Sequence, residues 1–373
     1  MKLCYIISGD LWAGVEVMCY RLLKGLLNYN NLELSVILLN EGKLAEEIRK
    51  LKIPVYVVDE TRLNFFQIVR NFRNIIIEIS PDIIHSHRLK ENILAYLSIK
   101  SETRWVQLLS TQHGMQEPLI CKYKAIKQYV LTKYNYYIIV KYFKYIIAVS
   151  EDIRKNIIQM YSIPNDKVFV IHNGTYIESE IELSLEREKN SFVIGSAGRL
   201  FPIKDYPFMV EIAREVLNQA NQVRFELAGE GPEMENIHRL ICAYKIEKSF
   251  ILRGFIDKME TFYQGLDLYI NTSLHEGLPM SVIEAMAHGI PVIAPNTGGL
   301  VEILNNGSQG YLIEGRNPKI FAEKCLKLIR DKDLYQKMGI ASRDKIQNEF
   351  SMYKMAENYH NLYLNVFEHN SNK

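Results

Sequence analysis

The stretch HEGLPMSVIEAMAHGIPVIAPNTGG, residues 275–299, decides the fold. The run before it, 268–271, is short and β-prone and ends in a polar loop. Pro279 suits the first turn of a helix, where a missing N–H costs nothing and a φ of about −65° is already in place. Residues 281–287 continue as good helix formers, and Gly289 followed by Pro291 stops them. Residues 292–294 read as the next strand. The unit is therefore strand, loop, helix, strand, with Glu276 at the carboxyl end of the first strand and Glu284 about two turns into the helix. In an open α/β sheet that edge is where ligands bind. Free N–H groups near Gly277 and Leu278 can hold a phosphate, and two carboxylates suit hydrogen bonds from sugar and ribose hydroxyls. For either glutamate alone, complementing a helix dipole or facing solvent is explanation enough. The pair inside this punctuation favours the chemistry of sugars and phosphates.

A second signal lies upstream. Residues 191–197 form an apolar strand, the loop GRLFPIK follows at 198–204, and an amphipathic helix starts near Asp205. Arg199 and Lys204 thus share one strand-to-helix loop on the same edge of the same predicted sheet. Two fixed cations there can neutralise a diphosphate as it leaves. Either one alone reads equally well as a solvated surface cation.

The rest of the chain repeats this organisation. Strand-like runs at 3–8, 34–39, 55–58, 82–85, 105–110, 145–149 and 168–171 alternate with helical stretches, the pattern of a mainly parallel sheet. A second series runs through 191–197, 224–228, 250–253, 267–270 and 292–294. Between them ESEIELSLEREKN, 178–190, is polar, acid-rich and poor in strand signals, as a linker is. With 373 residues the chain has room for two domains with their own cores. Its 48% hydrophobic and 24% charged residues are those of a water-soluble globular protein.

Five cysteines, Cys4, Cys19, Cys121, Cys242 and Cys325, are odd in number and lack metal-like spacing, which implies reduced thiols in the cytoplasm. The N-terminal MKLCYIISGD turns polar too soon for a signal peptide, and no apolar run approaches membrane-spanning length.

Charge is uneven. Residues 1–175 carry 23 Lys/Arg against 16 Asp/Glu, and the remainder 22 against 27. Between Glu117 and Glu151 no acidic residue interrupts a series of lysines and tyrosines that includes Lys122, Lys133, Lys141, Tyr129, Tyr134 and Tyr137. Residues 121–145 therefore suit the interface of an anionic membrane, with Lys on phosphates and Tyr at headgroup depth. A solvated helix whose tyrosines pack partly on the sheet fits as well, and both readings stay open. Nucleic acid is disfavoured, because the excess is local and no recognition motif accompanies it.

His85 and His87 alternate at a strand end, so both point to one face; a structural or acceptor-side role ranks above metal ligation, which would need further ligands. His113 lies in a loop just after another strand. Gly14 opens a helix after the first strand, either as an anion-binding turn or as a plain N-cap. DKD at 331–333 follows a helix ending near Arg330 and reads as a turn or helix start, so no metal motif is assigned there.

The strings GRLFPIKDYP (198–207), LAGEGP (227–232), GFIDKMETFYQGLDLYIN (254–271), the quoted 275–299 segment and GYLIE (310–314) resemble, in this order, the C-terminal half of the retaining glycosyltransferases of family 4, which have the GT-B fold. GDLWAGVE (9–16), DIIHSHRLKENILAYL (82–97), STQHG (110–114), IIAVSEDIRKNI (146–157) and VIHNGTYI (170–177) extend the resemblance over nearly the whole chain.

The resemblance implies an α/β protein of two doubly wound Rossmann-like domains facing each other across a cleft. An acceptor domain would span 1–177, the linker 178–190 and a nucleotide-sugar donor domain 191–350, with a final helix in 351–373 crossing back to the first domain. It further implies a metal-independent, retaining transfer from a nucleotide diphosphate sugar, UDP-sugar favoured, to an acceptor hydroxyl, with no cofactor. Arg199, Lys204, Glu276 and His113 would be catalytic. Arg199 and Lys204 would stabilise the departing phosphate, Glu276 would orient the donor sugar and His113 would face it. Glu284 would bind the ribose, with Gly14, Gly277, Leu278, Arg253 and Phe255 completing the donor-binding set. Same-face substitution, in which the departing phosphate takes the acceptor proton, is the expected route, and Glu276 as a covalent nucleophile the minor one.

With the basic helix, the expected acceptor is a saccharide or lipid-linked saccharide of surface polysaccharide assembly, and the expected location cytoplasmic or peripheral on the inner face of the membrane. The chain departs from the family pattern at Asp205, where a glycine is usual, at His172, where a proline is usual, and in carrying only Gly9 and Gly14 in its first loop. A sugar-nucleotide 2-epimerase and a non-catalytic binding scaffold are the alternatives.

Overall fold

The computed structural model describes residues 1–9, 12, 14–99, 106–114, 122–177 and 191–371; the side chains of 122–125, 127 and 369–371 lie outside that description. So do the expected linker at 178–190 and the first residue of the basic segment. The chain divides into two compact units, one of Met1–Gly174 with Met352–Lys373 and one of Thr175–Ser351.

In the first unit, strands β1 (Lys2–Ile7), β2 (Glu33–Leu38), β3 (Val55–Val57), β4 (Ile83–Ser86), β5 (Gln107–Gln112), β6 (Tyr145–Ala148) and β7 (Val168–Val170) alternate with helices. The helices are α1 (Gly14–Leu26), α2 (Lys43–Lys50), α3 (Phe65–Ile79), α4 (Leu89–Ile99), α5 (Lys122–Tyr142) and α6 (Glu151–Tyr161). In the second, strands β8 (Phe192–Ala197), β9 (Val223–Ala228), β10 (Phe250–Gly254), β11 (Leu268–Ile270), β12 (Val292–Pro295) and β13 (Gly310–Ile313) do the same. Their helices are α7 (Tyr206–Leu217), α8 (Met234–Ala243), α9 (Met259–Gly265), α10 (Met280–Ala287), α11 (Leu300–Ile303), α12 (Pro318–Arg330) and α13 (Lys332–Glu349). Helix α14 (Met352–Ser371) returns to the first unit.

All strand pairings are parallel, in the orders β3-β2-β1-β4-β5-β6-β7 and β10-β9-β8-β11-β12-β13. Strand order reverses beside β1 and β4 in one sheet and beside β8 and β11 in the other, which gives each unit a switch point. Helices cover both faces of such sheets, so the central strands are buried almost end to end, as in β1 and β8. The expected strands all appear where the structure is described, with ends shifted by one or two residues. Strand β13 was not anticipated, because its four residues lie between polar loops and lack a longer apolar run.

Local chemistry sets the helix ends. Asn64 and Gln67 close a capping box on α3, Ser150 caps α6, and Asn317 with Pro318 opens α12. Asp331 accepts from Leu334 N at the start of α13, so DKD is a helix start as expected. Gly289, at φ 71°, ends α10 in the left-handed region.

Helix α14 completes the first core. Met355, Ala356, Tyr359, Leu362, Tyr363 and Val366 are buried with residues of β1, β2 and α1. A Cβ on Gly25 of α1 would lie 2.7 Å from Ala356 Cβ, so the glycine permits the close approach of the two helices. Cys4, Cys19 and Cys325 are buried free thiols, and Cys242 is an exposed one. Among the described residues no helix is long and apolar enough to cross a membrane.

Candidate functional site

The carboxyl ends of β8 and β11 flank the second switch point, and Lys204 and Glu276 meet there. The β8 loop makes a single tight turn, Pro202–Lys204, before α7. Lys204 Nζ donates to Glu276 Oε1 at 2.5 Å, and the pair is largely buried, with side-chain exposures of 23% and 10%. The same oxygen accepts from Ser273 Oγ at 2.6 Å and from Asn271 Nδ2 at 3.3 Å. Among the described residues Glu276 Oε2 accepts nothing, and it stays in contact with solvent. One carboxylate oxygen is thus consumed in fixing the side chain, and the other keeps its capacity to accept a hydrogen bond.

The glutamate's own loop is held from behind. Gly299 N donates to Glu276 O at 2.9 Å. A Cβ on Gly299 would fall 1.9 Å from Gly277 O, and one on Gly298, at φ 54°, 2.2 Å from Glu276 O. Only hydrogen fits at either place. Among the described residues the N–H groups of Gly277 and Leu278, just ahead of α10, donate to nothing in the protein. Together with the helix N-terminus they form an anion-attracting edge.

Glu284 is the fifth residue of α10, a little over one turn in rather than two, because the helix begins at Met280 with Pro279 as its cap. Its Oε2 accepts from the buried Tyr263 Oη at 2.8 Å. Arg199 is exposed in the β8 loop, its guanidinium 5.0 Å from the Phe201 ring centre.

Arg253, expected in the donor-binding set, lies on β10 and is engaged within the sheet. It forks onto Glu226, Nε to Oε2 and Nη2 to Oε1, each at 2.8 Å. Glu226 is a nearly buried carboxylate on β9 that needs cationic partners, and Arg224 supplies a second. Arg253 therefore ties β10 to β9. Phe255, at the end of that tied strand, is 64% exposed.

His113 and Gly14 belong to the first unit. Gly14 is the exposed first residue of α1. His113 Nε2 lies 3.1 Å from His87 Nδ1, and the His85, His87 and His113 rings stack in sequence at 4.6 and 5.4 Å. His85 has Tyr363 Oη at 2.7 Å on Nδ1 and Thr111 Oγ1 at 2.8 Å on Nε2, so both nitrogens are taken and its role is structural. Burial pushes His85 down to about 3, with His113 adding to it; burial and then Arg88 do the same for His113, and burial foremost lowers His87.

Sequence reading missed Ser273, Asn271, Tyr263 and the glycines at 298–299 as supports of the site. The glycine pair had a visible signal, a doubled glycine after a strand. The others carried none.

Two family models match consecutive parts of the chain, Glycosyltransferase Family 4 over residues 12–179 and Glycosyl transferases group 1 over 177–345. The chain belongs to glycosyltransferase family 4.

Among its family 4 relatives, the UDP-Gal:alpha-D-GlcNAc-diphosphoundecaprenol alpha-1,3-galactosyltransferase of Escherichia coli is 22% identical over 98% of this chain and 97% of its own length. The poly(ribitol-phosphate) alpha-N-acetylglucosaminyltransferase of Staphylococcus aureus is 28% identical over 58% of this chain, a match that spans 43% of that relative. In structure, Anabaena HepE in complex with UDP-glucose superposes with a TM-score of 0.83 at 20% identity, over 98% of this chain and all of the other. The architecture is GT-B, and the family 4 protein is a glycosyltransferase of that fold.

Proposed function

We propose that the protein is a metal-independent, retaining glycosyltransferase that uses a nucleotide diphosphate sugar, UDP-sugar favoured, and no cofactor. The observation that carries this reading is the Lys204–Glu276 pair at the β8/β11 switch point, with Oε2 of the glutamate and the Gly277 and Leu278 N–H groups left for a ligand. Breaking the anomeric bond leaves negative charge on the β-phosphate and oxocarbenium character on the sugar. Lys204 keeps donors beyond the one given to Glu276 and, with Arg199 and the two N–H groups, stabilises the phosphate charge without a metal.

Glu276 Oε2 takes a sugar hydroxyl, Glu284 the ribose hydroxyls, and the exposed Phe255 ring offers a face to the base. Arg253 contributes by holding the strand that carries Phe255. The roles of His113 and Gly14 rest on the family resemblance alone. The departing phosphate accepts the acceptor proton, so the new bond forms on the face the phosphate leaves.

The acceptor is proposed to be a lipid-linked saccharide of surface polysaccharide assembly, with the enzyme on the inner, cytoplasmic face of the membrane. Two relatives support this: the Escherichia coli relative is named for a diphosphoundecaprenol-linked acceptor, and another, from Staphylococcus aureus, for capsular polysaccharide biosynthesis. On α5, Ile126, Tyr129, Val130, Tyr134 and Tyr137 are exposed at helical spacing, with Lys133 and Lys141 alongside.

A panel of nucleotide sugars, followed by mass analysis of the products, tests the assignment. Nucleotide diphosphate release that survives chelator, with sugar appearing on an acceptor, is the expected result. Consumption of donor without any acceptor would instead indicate an epimerase, and no turnover with any donor a binding scaffold.

A further inference from the structure

We propose that Arg316 is a positioning residue that fixes Lys204 against Glu276 by latching the loop between β8 and α7; the inference rests on the donor-site reading above. That loop ends on Asp205 at φ 45°, ψ 51°, a left-handed conformation that disfavours a residue with a Cβ. Asp205 is also the N-cap of α7, yet its carboxylate makes no cap bond. An aspartate at that place ordinarily satisfies a helix N–H. Here the carboxylate is diverted to Arg316 Nη2.

The same Nη2 donates to Thr272 O at 2.9 Å, and Thr272 Oγ1 donates to Lys204 O at 2.9 Å. Leu274 N adds a bond to Ile203 O at 2.9 Å. Arg316 therefore joins the two loops that carry Lys204 and Glu276, from a position just after β13 at the far edge of the sheet. Its guanidinium lies 4.3 Å from the Phe208 ring centre, and Phe208 packs edge-on against Phe321 at 5.2 Å, which fixes the direction of approach. The Arg316 and Asp205 side chains are 30% and 26% exposed, and the second bond from Nη2 to Thr272 O holds the guanidinium in one orientation. Arg316 itself need not touch the donor. It sets where the lysine stands.

The test measures binding of UDP and UMP by calorimetry to the full chain, replacing UDP and UMP with the di- and monophosphate of adenosine, guanosine or thymidine if the wild-type protein binds one of those diphosphates more tightly. The variants are Arg316→Ala, Arg316→Lys, Asp205→Gly, the double variant Asp205→Gly/Arg316→Ala, and Lys204→Ala as reference. Arg316→Ala is expected to weaken the diphosphate about tenfold and leave the monophosphate unchanged, since Lys204 is read as a β-phosphate contact. In the Asp205→Gly background the same change is expected to matter much less, because the latch is already gone. Arg316→Lys reaches one acceptor in place of two and provides the comparison if Arg316→Ala does not fold.

Wild-type diphosphate affinity in Arg316→Ala alongside a loss in Lys204→Ala would overturn the latch alone. Parallel weakening of both nucleotides would reduce Arg316 to a structural role and overturn it too. No loss in Lys204→Ala, or no diphosphate bound by the wild type, would remove the donor-site reading and the latch with it.

Discussion

Lys204 and Glu276 meet at 2.5 Å across the β8/β11 switch point, although 72 residues separate them in the chain. The contact makes the cation and the carboxylate parts of one device. The glutamate aims the lysine, and the lysine with Ser273 and Asn271 holds the glutamate so that one oxygen faces outward.

Removing either partner should therefore cost more than one hydrogen bond. Lys204→Ala and Glu276→Ala are each expected to lower turnover at least about a hundredfold, the size of losing one transition-state donor. Nucleotide diphosphate release with the donor found by the panel measures this. Near-wild-type rates in either variant would refute the site.

Tyr263→Phe removes one hydrogen bond to Glu284 and little else in shape. Nucleotide binding is expected to weaken about fivefold, equivalent to roughly 1 kcal/mol. Calorimetry with UDP checks it, and unchanged affinity would mean that Glu284 does not depend on the tyrosine.

Gly299→Ala places a methyl group where Gly277 O now lies. Backbone must move to admit it, so the Gly277–Leu278 edge shifts. A fall in donor affinity with a loss of about 1–3 kcal/mol of stability is expected. A variant with wild-type melting and binding would show that the loop tolerates displacement.

His85 is buried and held at about 3, against an ordinary value of about 6.5. Its folded form binds a proton less readily than the unfolded chain. The stability this represents is complete above about pH 6.5 and is lost as pH falls toward 3, with a slope of about 1.4 kcal/mol per unit for one proton. Urea midpoints between pH 7 and 4 should fall, and less so in His85→Gln. Equal pH slopes in the two proteins would contradict the assignment.

Lys133→Glu with Lys141→Glu reverses charge on the exposed face of α5. Co-sedimentation with anionic vesicles should drop several-fold while binding to neutral vesicles does not change. Indifference of the wild-type protein to lipid charge would argue against a membrane role for this helix.

The double fold was legible because its signals are local: apolar runs, a glycine and a proline after a helix, and loops that restart the pattern. Arg199 with Lys204, and Glu276 with Glu284, could be placed on one sheet edge for the same reason. What joined them could not. Partners such as Arg316 with Asp205, Tyr263 with Glu284 and Arg253 with Glu226 lie 111, 21 and 27 residues apart, and a sequence does not announce its cross-strand neighbours. The bond of Arg253 to the buried carboxylate on the next strand was hidden on that account. Asp205 was legible as a departure from pattern, but its use became visible only with its left-handed backbone and its bond to Arg316.

Helix α14 gives the molecule an unusual order of completion. The first unit's core includes Tyr359 and Tyr363, and Tyr363 faces Tyr5 at 2.6 Å. Residues that follow the second unit in the chain are thus needed to finish a core begun before it. On the ribosome the contiguous second unit, Thr175–Ser351, can close while the first still waits with the apolar side of α1 uncovered. A nascent chain arrested before residue 352 would then hold a closed second unit and an unfinished first one, a natural substrate for chaperones.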